Sequence, residues 1–82
     1  MPGKLRTLSG SEVLRILSRF GFETVHQRGS HIKVRWQGEH SARVTISVPD
    51  HREIRPGTLQ SIYRDACRAV PEADLRPYFF TE

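Results

Sequence analysis

Near the start of the chain, Val13, Ile16, Leu17 and Phe20 recur at helical spacing and form one apolar stripe. The residues before it read as a helix start. Ser9 stands at the N-cap position with Glu12 three residues on, a capping-box pattern, and Leu8 and Val13 are spaced to form a hydrophobic staple across it. Gly21 ends the stripe, because glycine enters the left-handed conformation cheaply, and Leu17 with Phe22 supplies the apolar contact usual beside such an end.

The period then drops to two. Ile32, Val34 and Trp36 alternate with His31, Lys33 and Arg35, and Ala42, Val44, Ile46 and Val48 alternate with Arg43, Thr45 and Ser47. These are two strands with one apolar and one basic or polar face each. A first strand over residues 22–27 joins them through the turn Arg28-Gly29-Ser30, and Gln37-Gly38-Glu39 lies in the next connection, which predicts a three-stranded antiparallel meander. Pro49 and Pro56 bracket a polar loop over residues 50–55. A second helix is predicted from Gly57, with the stripe Leu59, Ile62, Tyr63, Ala66 and Val70, and Pro71 ends it. The remaining residues read as a tail with room for one short helical turn before Tyr78-Phe79-Phe80. The predicted fold is α+β, in the order αβββα, with both helices on the apolar face of the sheet.

Length and composition narrow this further. Eighty-two residues make one domain, residues 1–82, with a core over residues 5–70 and a tail over residues 71–82. A domain of this size buries only about 60% of the surface its unfolded chain exposes, so two layers are the most it can stack. Its longest run of apolar side chains is three residues, Tyr78-Phe79-Phe80, far short of a membrane span. Neither a signal peptide nor an internal disulfide is expected, since the N-terminus lacks the apolar region of such a signal and Cys67 is the single cysteine. The cytoplasm is the expected compartment.

The net charge of +4 is unevenly spread. Residues 1–35 hold seven basic residues and two acids, a net of +5, whereas residues 36–82 hold six basic residues and seven acids, a net of −1. Eleven of the thirteen bases are arginine, whose planar fork binds phosphate or carboxylate with paired hydrogen bonds, so a polyanion and an acidic protein both fit.

An antiparallel sheet covered on one side leaves its other face in water, and here that face carries His31, Lys33, Arg35 and Arg43. Imidazole is the one side chain among these that titrates near neutral pH, so His31 can move a proton as well as hold charge. It follows Gly29-Ser30, where glycine leaves room for a ligand backbone and the serine hydroxyl can donate to phosphate. His26 and His40 read as incidental, Trp36 as core, and Cys67 as a packing residue on the edge of a helix stripe. No metal site is expected, because no pair of histidines has close ligand spacing and no cysteine cluster supports them. No cofactor is expected either.

The set Gly21-Phe22, Gly29-Ser30-His31, Val48-Pro49 with His51, and Pro56-Gly57-Thr58-Leu59 with Ile62 resembles the HicA toxins of bacterial type II toxin–antitoxin modules, over about residues 5–70. The chain departs from that pattern after Val70, where it reads Pro71-Glu72-Ala73-Asp74. The resemblance implies a double-stranded-RNA-binding-like fold. It also implies a metal-independent mRNA interferase whose single catalytic histidine matches His31, neutralised by a HicB-type antitoxin; operator DNA, if contacted at all, is reached only through that complex. Gly29, Ser30, Lys33, Arg35 and Arg43 are then the expected RNA contacts. Attack by a 2′-hydroxyl needs a base that works near neutral pH, which suits His31. The leaving 5′-oxygen would take its proton from water or from a second group such as His51. Two rivals stand beside this reading: a non-catalytic double-stranded-RNA-binding module, although no lysine follows Lys33 to build the cluster expected at its second helix, and a protein-interaction domain whose basic face receives an acidic partner.

Overall fold

The computed structural model describes residues 3–81. Helix α1, Gly10–Arg19, begins with the anticipated reciprocal cap. Ser9 Oγ accepts from the Glu12 N–H at 3.1 Å, and Glu12 Oε1 accepts from the Ser9 N–H at 2.8 Å. It ends in a Schellman arrangement in which the Gly21 and Phe22 N–H groups donate to the Ser18 and Leu17 carbonyls. Three antiparallel strands follow in the spatial order β1-β2-β3: β1 Glu23–Arg28, β2 His31–Gln37 and β3 Arg43–Pro49. Helices α2, Pro56–Ala66, and α3, Glu72–Phe79, complete the chain.

One apolar cluster holds these elements together. Val13, Ile16 and Leu17 of α1 and Leu59, Ile62 and Ala66 of α2 pack with Ile32, Val34, Val44, Ile46 and Val48 from one side of the sheet. The alternation in β2 and β3 therefore separates a covered face from a wet one, as in other one-sided antiparallel sheets. None of the helices described is long and apolar enough to cross a membrane.

The chain departs from its sequence pattern in four places. The strand β3 begins at Arg43, and Ala42 lies outside it, exposed, because residues 38–42 are closed by the Gly38 N–H bond to the Ala42 carbonyl at 2.8 Å. Trp36 is half-buried at the margin of the core rather than inside it, its indole lying beside Gly21. Helix α2 stops at Ala66, four residues before Val70. A turn closed by the Arg68 and Ala69 N–H groups then carries Val70 into the core from outside the helix. Finally, the tail forms an eight-residue helix, α3, that buries Leu75 and Phe79 despite an internal Pro77. Phe79 and its neighbours are pinned to the other end of the chain by the Arg6 N–H to Phe79 carbonyl bond (2.8 Å) and the Thr81 N–H to Lys4 carbonyl bond (2.8 Å).

Candidate nucleic-acid interface and active site

The wet face of the sheet follows from the strand register. His31 is opposite Arg28 on one side and Pro49 on the other, Lys33 is opposite Ser47, Arg35 opposite Thr45, and Gln37 opposite Arg43. Residues opposite one another share a face, so Arg28, His31, Lys33, Arg35 and Arg43 all belong to it. Arg35 Nε donates to Thr45 Oγ1 at 3.2 Å, which fixes its guanidinium along β3. Among the described residues the one ion pair is Arg76–Glu72 on α3, so the cations of the sheet face form no salt bridge, although Glu23 stands opposite Arg35 on that face. Such a row is suited to a polyanionic ligand.

His31 opens β2 directly after the two-residue turn Gly29-Ser30. Gly29 has φ +59°, a conformation that side-chain-bearing residues seldom adopt, and a Cβ added there would meet nothing within 4 Å. The turn beside His31 is thus tight and open to a ligand. His31 itself is exposed and borders two hollows. One, of about 490 Å³, is shared with His26, Arg28, Lys33 and Ser47. The other, of about 340 Å³, is shared with Ser47, Pro49, His51, Ile54, Arg55 and Thr58.

The second hollow owes its shape to three backbone bonds. The Asp50 N–H donates to the Ser30 carbonyl at 2.6 Å, the Gly10 N–H to the His51 carbonyl at 2.8 Å, and the Ile54 N–H to the Leu8 carbonyl at 2.9 Å. Gly10 lies so close to Pro49 and Asp50 that any Cβ would collide with their backbone. Ile54 is buried beneath, and α2 starts at Pro56 with its first turn free of acidic residues. A stretch that reads as a polar loop is therefore a fixed wall, anchored by one apolar residue with no periodic neighbours to announce it.

Of the residues singled out in the sequence, His31 and Lys33 meet in the first hollow, and His31 and His51 in the second. Ser30 contributes its carbonyl to the loop clamp. Arg35 and Arg43 lie farther along the same face and border neither of these two hollows. His26, Arg28, Arg55 and Thr58 were not anticipated there. His26 is opposite Lys33 and two residues from Arg28, so regular pairing back from the turn places it on this face; the β-bulge lies before it, where Thr24 is opposite Val34 and Val25 is the extra residue. The bulge turns Thr24 to the covered face, and no feature of the sequence marks it.

Elsewhere, the Tyr63 hydroxyl donates to Glu72 Oε2 at 2.7 Å, and burial, ahead of this bond, pushes its pKa up to about 12. Burial also raises the Cys67 thiol, and the side chain packs partly covered against the core, an environment for packing rather than for a nucleophile. Among the described residues, no group of three or more His, Cys, Asp or Glu stands close enough to hold a metal ion.

Comparison with known proteins adds one match. A protein-family model described as the HicA toxin of bacterial toxin–antitoxin matches residues 10–66, which run from the first residue of α1 to the last of α2. No curated protein and no solved structure matches the chain.

Proposed function

Because the chain belongs to the HicA toxin family, and is thus the toxin of a toxin–antitoxin pair, we propose that it is a ribonuclease that cleaves mRNA with His31 as its general base. The observation that carries this reading is the setting of His31: exposed at a strand mouth, between two hollows, on a face whose Arg28, Lys33, Arg35 and Arg43 form no salt bridge among the described residues. The cations bind the phosphate backbone, and Gly29-Ser30 lets the ribose approach the imidazole. His31 takes the proton from a 2′-hydroxyl as its oxygen attacks phosphorus. Lys33, two residues along the same face, stabilises the charge that builds on the non-bridging oxygens. No metal or cofactor takes part in this scheme.

The partner is a HicB-type antitoxin that covers the same face and so competes with RNA. The toxin acts in the cytoplasm on mRNA, and any contact with operator DNA comes through the antitoxin complex alone.

The test is His31→Ala. The side chain is exposed and opposite Arg28 and Pro49, so truncation should cost less than about 0.5 kcal/mol of stability. Cleavage of mRNA in EDTA, and growth arrest on induction, should fall by about 10²- to 10⁴-fold or more, the usual contribution of a positioned base. A variant that melts like the unaltered protein yet still degrades mRNA would remove His31 from catalysis. RNA binding without cleavage by the unaltered protein would leave a non-catalytic binding module.

A further inference from the structure

We propose that His51 is the general acid of the same reaction, protonating the leaving 5′-oxygen, and that the two hollows beside His31 receive the nucleosides on either side of the scissile phosphate. This rests on the RNA-cleavage reading above. One imidazole cannot remove a proton from the attacking oxygen and deliver one to the leaving oxygen in a single displacement, so a second donor is needed on the opposite side of phosphorus.

The fold offers two histidines that share a hollow with His31: His26 in the larger and His51 in the smaller. They differ in how firmly they are held. His26 follows a bulge on β1, a strand whose six residues are all exposed. The backbone around His51 is clamped to the hairpin turn that carries His31 by the Asp50–Ser30 bond, and to the start of α1 by its own carbonyl. Ile54, buried three residues on, holds the wall from behind. A proton donor must be presented from a fixed position, and this clamp fixes the main chain from which the His51 imidazole reaches. Arg55 and Thr58 border the same hollow and can bind the group that departs.

The step balances without a co-reactant. His31 accepts the 2′-hydroxyl proton, the 2′-oxygen bonds to phosphorus, the bond from phosphorus to the 5′-oxygen breaks, and the His51 imidazolium gives its proton to that oxygen. The products are a 2′,3′-cyclic phosphate and a 5′-hydroxyl. The nucleoside bearing the attacking hydroxyl sits in the hollow with His26, Arg28 and Lys33, and the departing nucleoside in the hollow with His51, Arg55 and Thr58. Both hollows fall in the volume range of small-ligand sites, about 300–1,000 Å³.

The experiment compares two RNA oligonucleotides cleaved by the full-length protein, one natural and one with sulfur replacing the 5′-bridging oxygen, since a thiolate leaves without a proton. His51→Gln should cleave the natural substrate about 10²- to 10⁴-fold more slowly and the sulfur substrate within about threefold of the unaltered protein. His31→Ala should fail on both. The proposal is overturned if His51→Gln cleaves the natural substrate normally, if it is impaired equally on both, or if His26→Gln shows the sulfur rescue instead. Unaltered protein that cleaves neither substrate, or His31→Ala that cleaves both, would strike at the ribonuclease reading itself. Melting curves confirm that each variant is folded, and the His51 main-chain bond to Gly10 survives the substitution.

Discussion

Strands β1 and β3 are the two outer strands of one sheet, each hydrogen-bonded to β2, yet they are built for different ends. In β3, Val44, Ile46 and Val48 are buried beneath the helices while Arg43, Thr45 and Ser47 alternate into water. In β1 every residue is exposed, including Thr24 and Gln27, which stand opposite Val34 and Ile32 on the apolar side of the sheet. The bulge at Val25 and the charges of Glu23 and Arg28 make β1 a poor template for a foreign strand. Its residues are consequently free of packing demands. One edge holds the domain together, and the other can be composed for what it touches.

The largest expected effect separates the two edges by stability. Ile46→Ala in β3 removes a buried side chain from the core cluster and should cost about 2–5 kcal/mol, whereas Val25→Ala in β1, at 45% exposure, should change stability by less than about 0.5 kcal/mol. Chemical denaturation of both measures the difference. Equal losses would mean that β1 is coupled to the core as tightly as β3.

The next effect runs the other way. Arg28→Glu should leave the melting midpoint unchanged but weaken RNA binding. The plot of log affinity against log salt should flatten by about one unit of slope, as expected when one phosphate is no longer neutralised. Binding titrations at several salt concentrations report it. An unchanged slope would place the RNA path away from β1.

The smallest effect reaches the covered edge through α1. The Ser9 backbone N–H, and secondarily its hydroxyl, hold the Glu12 carboxyl below its ordinary value of 4.5. A lowered pKa adds stability that is complete above the ordinary value and is lost as pH falls through the folded one. Acidification should therefore lower the melting midpoint of the natural protein more than that of Glu12→Gln, whose amide keeps the cap but does not titrate. Parallel acid-induced losses in the two proteins would show that the cap carries no such linkage.

What could be read beforehand was local or strictly periodic. Ser9 with Glu12, and Gly21 with Phe22, state both ends of α1 within a few residues, and the alternations through Val34 and Ile46 state which faces of β2 and β3 are wet. Other features depend on distant partners. Ile54 is buried because its loop is bonded back to Leu8 ahead of α1, Val70 because a turn redirects the chain, and α3 because Leu75 and Phe79 find the core in spite of Pro77. In the candidate site, His31 and Lys33 were legible from alternation, and His26 follows by alternation once Arg28 is paired with His31, while Arg55 and Thr58 were not legible, since a docked loop brings them there.

The loop clamp also governs the order in which the domain can assemble. The β1–β2 turn needs only neighbouring residues, so His31 can be presented early as the chain emerges from the ribosome. The bonds from Gly10 to His51 and from Leu8 to Ile54 join segments more than forty residues apart, and such contacts form late because a long loop must close first. The second wall beside His31 is consequently among the last parts to be completed, and a nascent chain carries an unfinished site until synthesis has passed α2.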